Sequence, residues 1–271
     1  MKVLKFGGTS VGSVQSIQTL LGILKKEVKN KEKPVVVLSA MSGVTDLLSA
    51  MAERAANGED FLTQLAELEK RHFDIVRNLL DIQHQNPALT GLKIYLNQLE
   101  DLLQGILTLR ELTPKTRDLV LSYGERCCAL MISKIASQHF PEVVCVDASE
   151  LIKTDNSFGQ AKVNMELTDL LIRSFYKEHG DKMVFVTGFI AANDAGQITT
   201  LGRGGSDYTA AIFGSVLNAS EIQIWTDVNG MMTADPRMVK KAVGDAATFR
   251  FCEQMYNRPC EETSVRNVVT F

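Results

Sequence analysis

The sequence predicts an α/β fold built on a mainly parallel sheet, and three observations carry that prediction. Two strand–loop–helix units open the chain. The second of their strands, Pro34-Val35-Val36-Val37-Leu38, is apolar without interruption, as expected of a strand covered on both faces. Later strands are separated by segments long enough to cross over a sheet.

Taken in order, Val3-Leu4-Lys5-Phe6 is a short β-rich run followed by a Gly-Gly turn. Ile17, Leu20, Leu21, Leu24 and Val28 then recur at helical spacing. The second strand leads into Ser39-Ala40-Met41-Ser42-Gly43-Val44-Thr45-Asp46 and another helix. From about 53 to 140 the composition shifts to Leu, Gln, Glu and Lys with helical periodicity, which predicts a helical insertion. Breaks are expected at Asn86-Pro87 and Thr113-Pro114, with Thr113 as a helix N-cap. Strands resume at Val143–Val146, Met183–Thr187 and Glu221–Trp225, and an apolar helical stretch runs from Thr209 to Leu217.

A chain of 271 residues, 45% hydrophobic and 23% charged, is long enough for a sizeable core. A net charge of −3 gives no field to attract nucleic acid or an anionic membrane, so small-molecule partners are expected. No apolar run approaches the ~18 residues of a membrane span and none resembles a secretory signal, so the expected location is cytoplasmic. Five cysteines without a CxxC pair suggest neither a disulfide framework nor a zinc site, and Cys127 and Cys128 read as apolar helix positions.

Three segments carry candidate chemistry. Lys5 precedes Gly7-Gly8 at a strand end, where backbone N–H groups and one ammonium converge on the start of a helix and can bind phosphate. The spacing is neither the P-loop pattern nor GxGxxG, and an ordinary tight turn is the alternative. Leu201-Gly202-Arg203-Gly204-Gly205-Ser206-Asp207 is the second segment. Its glycines allow close approach to the backbone, Arg203 offers a planar fork for a carboxylate, and Asp207 falls in the first helical turn. The third runs from Trp225 to Arg237, and all three lie at strand ends, where ligands bind in open α/β sheets.

Five motifs in order resemble the aspartokinase branch of the amino-acid kinase superfamily over roughly residues 1–242. They are Lys5-Phe6-Gly7-Gly8-Thr9-Ser10, Ser39 to Asp46, Ser122-Tyr123-Gly124-Glu125, Gly202 to Asp207, and Trp225 to Arg237. The resemblance implies a three-layer α/β/α sandwich and transfer of the γ-phosphoryl group of MgATP to the side chain of L-aspartate. That step opens lysine, threonine and methionine biosynthesis. It implies Lys5 and Asp207 as catalytic residues, with Lys5 on the phosphoryl oxygens and Asp207 orienting Lys5 or the magnesium shell. Ser39, Thr45, Glu125, Arg203, Gly204, Gly205 and Ser206 would form the aspartate pocket, Arg203 gripping a carboxylate and Glu125 the amino group. Lys5, Gly7, Gly8, Ser10, Thr226, Asp227, Met232 and Arg237 would hold ATP, with Gly7 and Gly8 giving backbone donors. No metal ligand is directly assigned. For Ser39 and Thr45 alone, capping of the helix near Thr45 is the competing reading.

The sequence departs from the pattern in two places. Met232 stands where the family commonly has Tyr. After Ala242, residues 243–271 match nothing in the family, whose further ATP-contacting Lys and paired regulatory ACT domains have no counterpart here. A frameshifted or cloning-derived ending is the reading taken, with a divergent native tail as its alternative. The rival function is a nucleotide-binding fragment that does not turn over; a sibling kinase acting on another carboxylate or carbamate is the third. A homodimer, the feedback effector and an attached homoserine dehydrogenase stay open. His72, His84, His139 and His179 all lie outside the motifs, in keeping with a reaction that needs no general base.

Overall fold

A computed structural model of the chain describes residues 1–29 and 33–226, together with the backbone of three short strands beyond them. β1 (Lys2–Phe6) runs into a 3-10 turn and α1 (Val14–Lys29); β2 (Val35–Leu38) runs into α2 (Val44–Ala56). The helices α3 (Leu62–Leu79), α4 (Ile82–Leu109) and α5 (Pro114–Ser137) follow. Then come β3 (Val143–Val146), α6 (Ala148–Leu151), β4 (Lys153–Thr154), α7 (Met165–His179) and β5 (Met183–Thr187). β6 (Ile190–Asn193), β7 (Ile198–Thr200), α8 (Gly205–Val216) and β8 (Glu221–Trp225) complete the continuous part. The three further strands are β9 (Met231–Met232), β10 (Gly244–Asp245) and β11 (Ser264–Asn267).

The main sheet has the order β11-β8-β1-β2-β5-β3, and every pairing in it is parallel. Each strand with described side chains alternates between two cores, because successive side chains point to opposite faces. Leu4, Phe6, Val36, Leu38 and Phe185 join α1 to α5 in one buried cluster. Val3, Val35, Val37, Val184, Val186 and Ile222 join α6 to α8 in the other. The fold is therefore a three-layer α/β/α sandwich, as expected, and the predicted strands after the insertion match β3, β5 and β8.

The insertion packs on the α1 face. Thr113 caps α5 as predicted: its Oγ1 accepts a hydrogen bond from Thr116 N at 3.1 Å, with Pro114 at the first helical position. Asn86-Pro87 does not break a helix. α4 starts at Ile82 and continues through Pro87, whose missing N–H costs the helix one bond, to the Gln83 carbonyl, in its second turn. Cys127 and Cys128 are buried at 1% and 0% exposure, as their apolar reading predicted.

A second sheet of order β4-β6-β7 was not foreseen; its strands are two to four residues long and carry no alternation to read. It stands beside the carboxyl ends of the main strands and delivers the chain from β7 into the turn before α8.

Candidate active site

Lys5 shares the strand parity of Val3, so its side chain leaves β1 on the α8 face. There its Nζ lies 2.6 Å from Asp207 Oδ1, in the first turn of α8. Lys5 is 9% exposed, whereas the Asp207 side chain is 38% exposed and reaches open space.

The turn after β1 is shaped by its glycines. Gly7 N donates to Trp225 O at 3.0 Å and Ser10 Oγ donates to the same oxygen at 3.2 Å, tying the turn to the end of β8. The Gly7 amide is thus engaged within the protein and Ser10 is fully buried, so these two build the turn. Gly8 meets the cavity, and a Cβ there would stand 2.9 Å from Ala40 O.

The loop after β2 is pinned from three sides. Ser39 N donates to Phe6 O at 3.2 Å, Ala40 N to Glu125 Oε1 at 3.2 Å, and Arg71 Nη2 to Ser42 O at 2.7 Å. The N-cap of α2 is Gly43, at φ 75°, with no side-chain cap. Neither Ser39 nor Thr45 caps that helix, so the capping alternative fails; both line the cavity instead.

Glu125, on α5, is 3% exposed and its Oε2 has no hydrogen-bond partner among the described residues. Burial pushes its carboxyl up to about 8, against the pull of the Ala40 amide and the Lys5 charge. Between β7 and α8, Gly205 N donates to Gly202 O at 2.9 Å, closing a turn whose third residue, Gly204, lies at φ 75°. Arg203 projects from this turn, exposed and with no ion pair among the described residues.

These elements enclose a cavity of ≈ 380 Å³. Of the residues expected from the sequence, Lys5, Gly8, Ser39, Thr45, Glu125, Arg203, Gly204, Gly205, Ser206 and Asp207 line it. Thr226 follows β8 and is not among the lining residues, and Met232 lies in β9 without a described side chain. Asp227 and Arg237 lie outside the described residues. Further lining residues were missed, Asp46 and Phe189 among them. Asp46 sat unused inside a quoted motif. Phe189 holds φ 68°, a conformation uncommon for a bulky side chain and one that no sequence pattern announces.

The cavity is lined by two cations, Lys5 and Arg203, and three carboxyl groups, Asp46, Glu125 and Asp207, of which Glu125 alone is buried, and its lining holds no histidine. Among the described residues no group of three or more His, Cys, Asp or Glu could hold a metal, and no helix is long and apolar enough to cross a membrane. Fold and site together define an α/β protein with a small-molecule cavity at the carboxyl ends of parallel strands.

The chain belongs to the amino acid kinase family, which matches residues 1–244. It is 34% identical over 249 residues to lysine-sensitive aspartokinase 3 of Escherichia coli K12, covering 89% of this chain and 52% of that protein. It is 31% identical over 243 residues to the chloroplastic bifunctional aspartokinase/homoserine dehydrogenase 1 of Arabidopsis thaliana, covering 89% of this chain and 26% of that one. The chain thus spans about half the length of the first relative and about a quarter of the second. Its structure resembles crystalline E. coli aspartokinase III in complex with aspartate and ADP, with a TM-score of 0.82, 30% identity, and coverage of 90% of this chain and 53% of that one.

Proposed function

We propose that the chain is the catalytic domain of an aspartate kinase, forming 4-phospho-L-aspartate from L-aspartate and MgATP. One observation carries this reading: the charges of the cavity complement the substrate. Aspartate brings two carboxylates and one ammonium; among the described residues the cavity offers the unpaired Arg203, Lys5 held by Asp207, and the unpaired oxygen of Glu125, with Asp46 at its exposed edge. In this reading Arg203 grips the α-carboxylate, Glu125 takes the ammonium, and the side-chain carboxylate points at the Lys5 end. Ser39, Thr45, Gly204, Gly205 and Ser206 line the space between.

The reacting carboxylate has an ordinary pKa of ~3.9 and is already ionised near neutral pH, so no base is required. Its oxygen attacks the γ-phosphorus while the bond to the β–γ bridging oxygen breaks and ADP departs with that electron pair. Phosphoryl transfer of this kind depends on alignment and on neutralising charge at the phosphoryl oxygens. Lys5 supplies that charge, and Asp207 holds its ammonium in place. The residues present fit a magnesium ion carried by the nucleotide, since Asp207 gives one partly exposed carboxylate and magnesium is usually held by one or two carboxylates plus phosphates. When bound, the ion screens the phosphate charge. Gly8 supports the phosphate end, and Thr226, Asp227, Met232 and Arg237 complete the nucleotide side. A cytoplasmic setting is part of this reading.

The test is to incubate the folded protein with MgATP and aspartate and trap the acyl phosphate as hydroxamate, beside Asp207→Asn. Product from the parent chain and a loss of about 10²-fold or more in the variant is expected. No product from folded protein overturns the reading; if calorimetry then detects ATP binding, a binding fragment replaces it.

A further inference from the structure

Seven residues before Glu125, two turns back on the same face of α5, stands a second buried carboxylate with no part in the chemistry above. Asp118 is 1% exposed. Its Oδ2 accepts from Gly159 N at 2.8 Å and from Thr200 N at 2.9 Å, and its Oδ1 accepts from Thr200 Oγ1 at 2.9 Å. Both donating segments lie outside the helical insertion and far away in sequence.

Thr200 is the last residue of β7, three residues before Arg203. Asp118 takes its amide and its hydroxyl, and its carbonyl accepts from Ala161 N at 2.9 Å, so every polar group of Thr200 is engaged. Leu201 N then donates to Phe189 O at 2.9 Å before the Gly202–Gly205 turn lifts Arg203 to the cavity. The other segment backs the same turn: a Cβ on Gly202 would lie 3.1 Å from Gln160 Cγ and 3.4 Å from Gly159 O. A buried carboxylate costs several kcal/mol in lost hydration unless it is hydrogen-bonded; here three donors meet it, and an apolar residue would leave the Gly159 and Thr200 amides unpaired. What the carboxylate adds is geometry: two loops fixed to one point of α5.

We propose that Asp118 is a positioning residue for substrate, anchoring the base of the Arg203 turn to the helix that also carries Glu125. One rigid rod then sets the separation between the guanidinium and the carboxylate that bracket the ligand. The substrate part of this inference rests on reading the cavity as an aspartate site; the anchoring part does not.

The test compares Asp118→Ala, Asp118→Asn and Thr200→Val in the full chain, each checked for folding by circular dichroism. Two quantities are read: KM for aspartate and for ATP beside kcat, and the rate at which trypsin cuts after Arg203, followed by mass spectrometry. Asp118→Ala is expected to raise the aspartate KM by about 10- to 100-fold, the scale of a misplacement of about 1 Å, and to leave the ATP KM near its parent value. Cutting after Arg203 should speed up in parallel. Asp118→Asn should restore most of both, because its carbonyl can still accept the two amides and the Thr200 hydroxyl can rotate to accept from its amide. If Asp118→Ala does not fold, Thr200→Val, which removes only the hydroxyl, should show the same selective rise on a smaller scale. Parent-like cutting and aspartate KM in the folded variants overturn the proposal, as does an equal change in both KM values with lowered thermal stability alone. Should the parent chain make no phosphoaspartate, the aspartate reading falls, and unchanged cutting at Arg203 still decides against anchoring, accelerated cutting for it.

Discussion

Lys5 Nζ and Asp207 Oδ1 lie 2.6 Å apart, joining the first strand of the chain to the first turn of a helix two hundred residues later. The pair is the link between the turn after β1 and the Gly-rich turn before α8. On the proposed reaction, Lys5→Met should lower kcat by about 10²- to 10³-fold, the range found when one charge-stabilising donor is removed. Because the two side chains act together, the double variant with Asp207→Asn should lose little more than the worse single variant. Hydroxamate formation at saturating substrates measures this; additive losses would separate the two roles.

A proton on Glu125 should set the pH dependence of aspartate binding. Burial pushes this carboxyl up to about 8, and an ammonium in the cavity favours its charged form, so binding below that value releases a proton. The aspartate KM should fall by up to about tenfold per pH unit on the way up to 8 and then level off. The stability effect has the opposite slope. The folded carboxyl titrates above its ordinary value of 4.5, so its contribution is complete below that pH and is lost as pH rises through about 8. Glu125→Gln should flatten both curves, as read by KM profiles and thermal melts between pH 5 and about 9.

His72 should limit stability in acid. It is fully buried on α3, its Nδ1 stands 2.8 Å from Leu68 O, and its Nε2 has no partner among the described residues. Burial drops its pKa from 6.5 to about 4. The unfolded chain therefore takes up a proton that the folded chain refuses, and stability falls as pH drops from 6.5 towards 4. The loss attributable to this ring is roughly 3 kcal/mol over that window. His72→Leu should show a shallower decline in urea melts at pH 6.5 and about 4.5; an unchanged slope would assign acid sensitivity elsewhere.

Gly124 explains why a glycine precedes Glu125. A Cβ there would lie 2.8 Å from the Ala40 Cβ and 3.2 Å from Leu48 Cδ1, where α5 presses on the loop after β2. Gly124→Ala gains about 1 kcal/mol of helix propensity yet should lose about 1 to 3 kcal/mol to overpacking, with a raised aspartate KM as the Ala40 amide shifts from Glu125. Thermal melts and kinetics on the same sample check both.

Much of this arrangement was legible in the sequence, for identifiable reasons. The strands β2 and β5 are apolar runs of the kind a covered sheet buries, β8 alternates Glu221 and Gln223 with Ile222 and Ile224, and Thr113-Pro114 marks a helix start chemically. Lys5, Arg203 and Asp207 stood out because charged residues beside glycines at strand ends seldom serve packing. What stayed hidden depends on long-range pairing. Asp118 looks like any surface carboxylate of an amphipathic helix until β7 is docked beside it, and β4, β6 and β7 are too short for a periodicity to form. Gly7 and Ser10 were expected to touch the nucleotide, yet Trp225 O receives a hydrogen bond from each, a partner more than two hundred residues away. Pro87 misled because its cost depends on its position within a helix, and the helix start could not be located from composition.

The two buried clusters on opposite faces of the sheet have a consequence for how occupancy is felt. Lys5, Arg203 and Asp207 belong to the side of α8, while Glu125 belongs to the side of α5, and the cavity opens at the rim where those sides meet. A ligand held by both sets of charges acts as a clasp across that rim. Its binding energy resists any motion that slides one helical layer over the sheet relative to the other, so an occupied site would stiffen the whole sandwich, including helices that never touch the ligand.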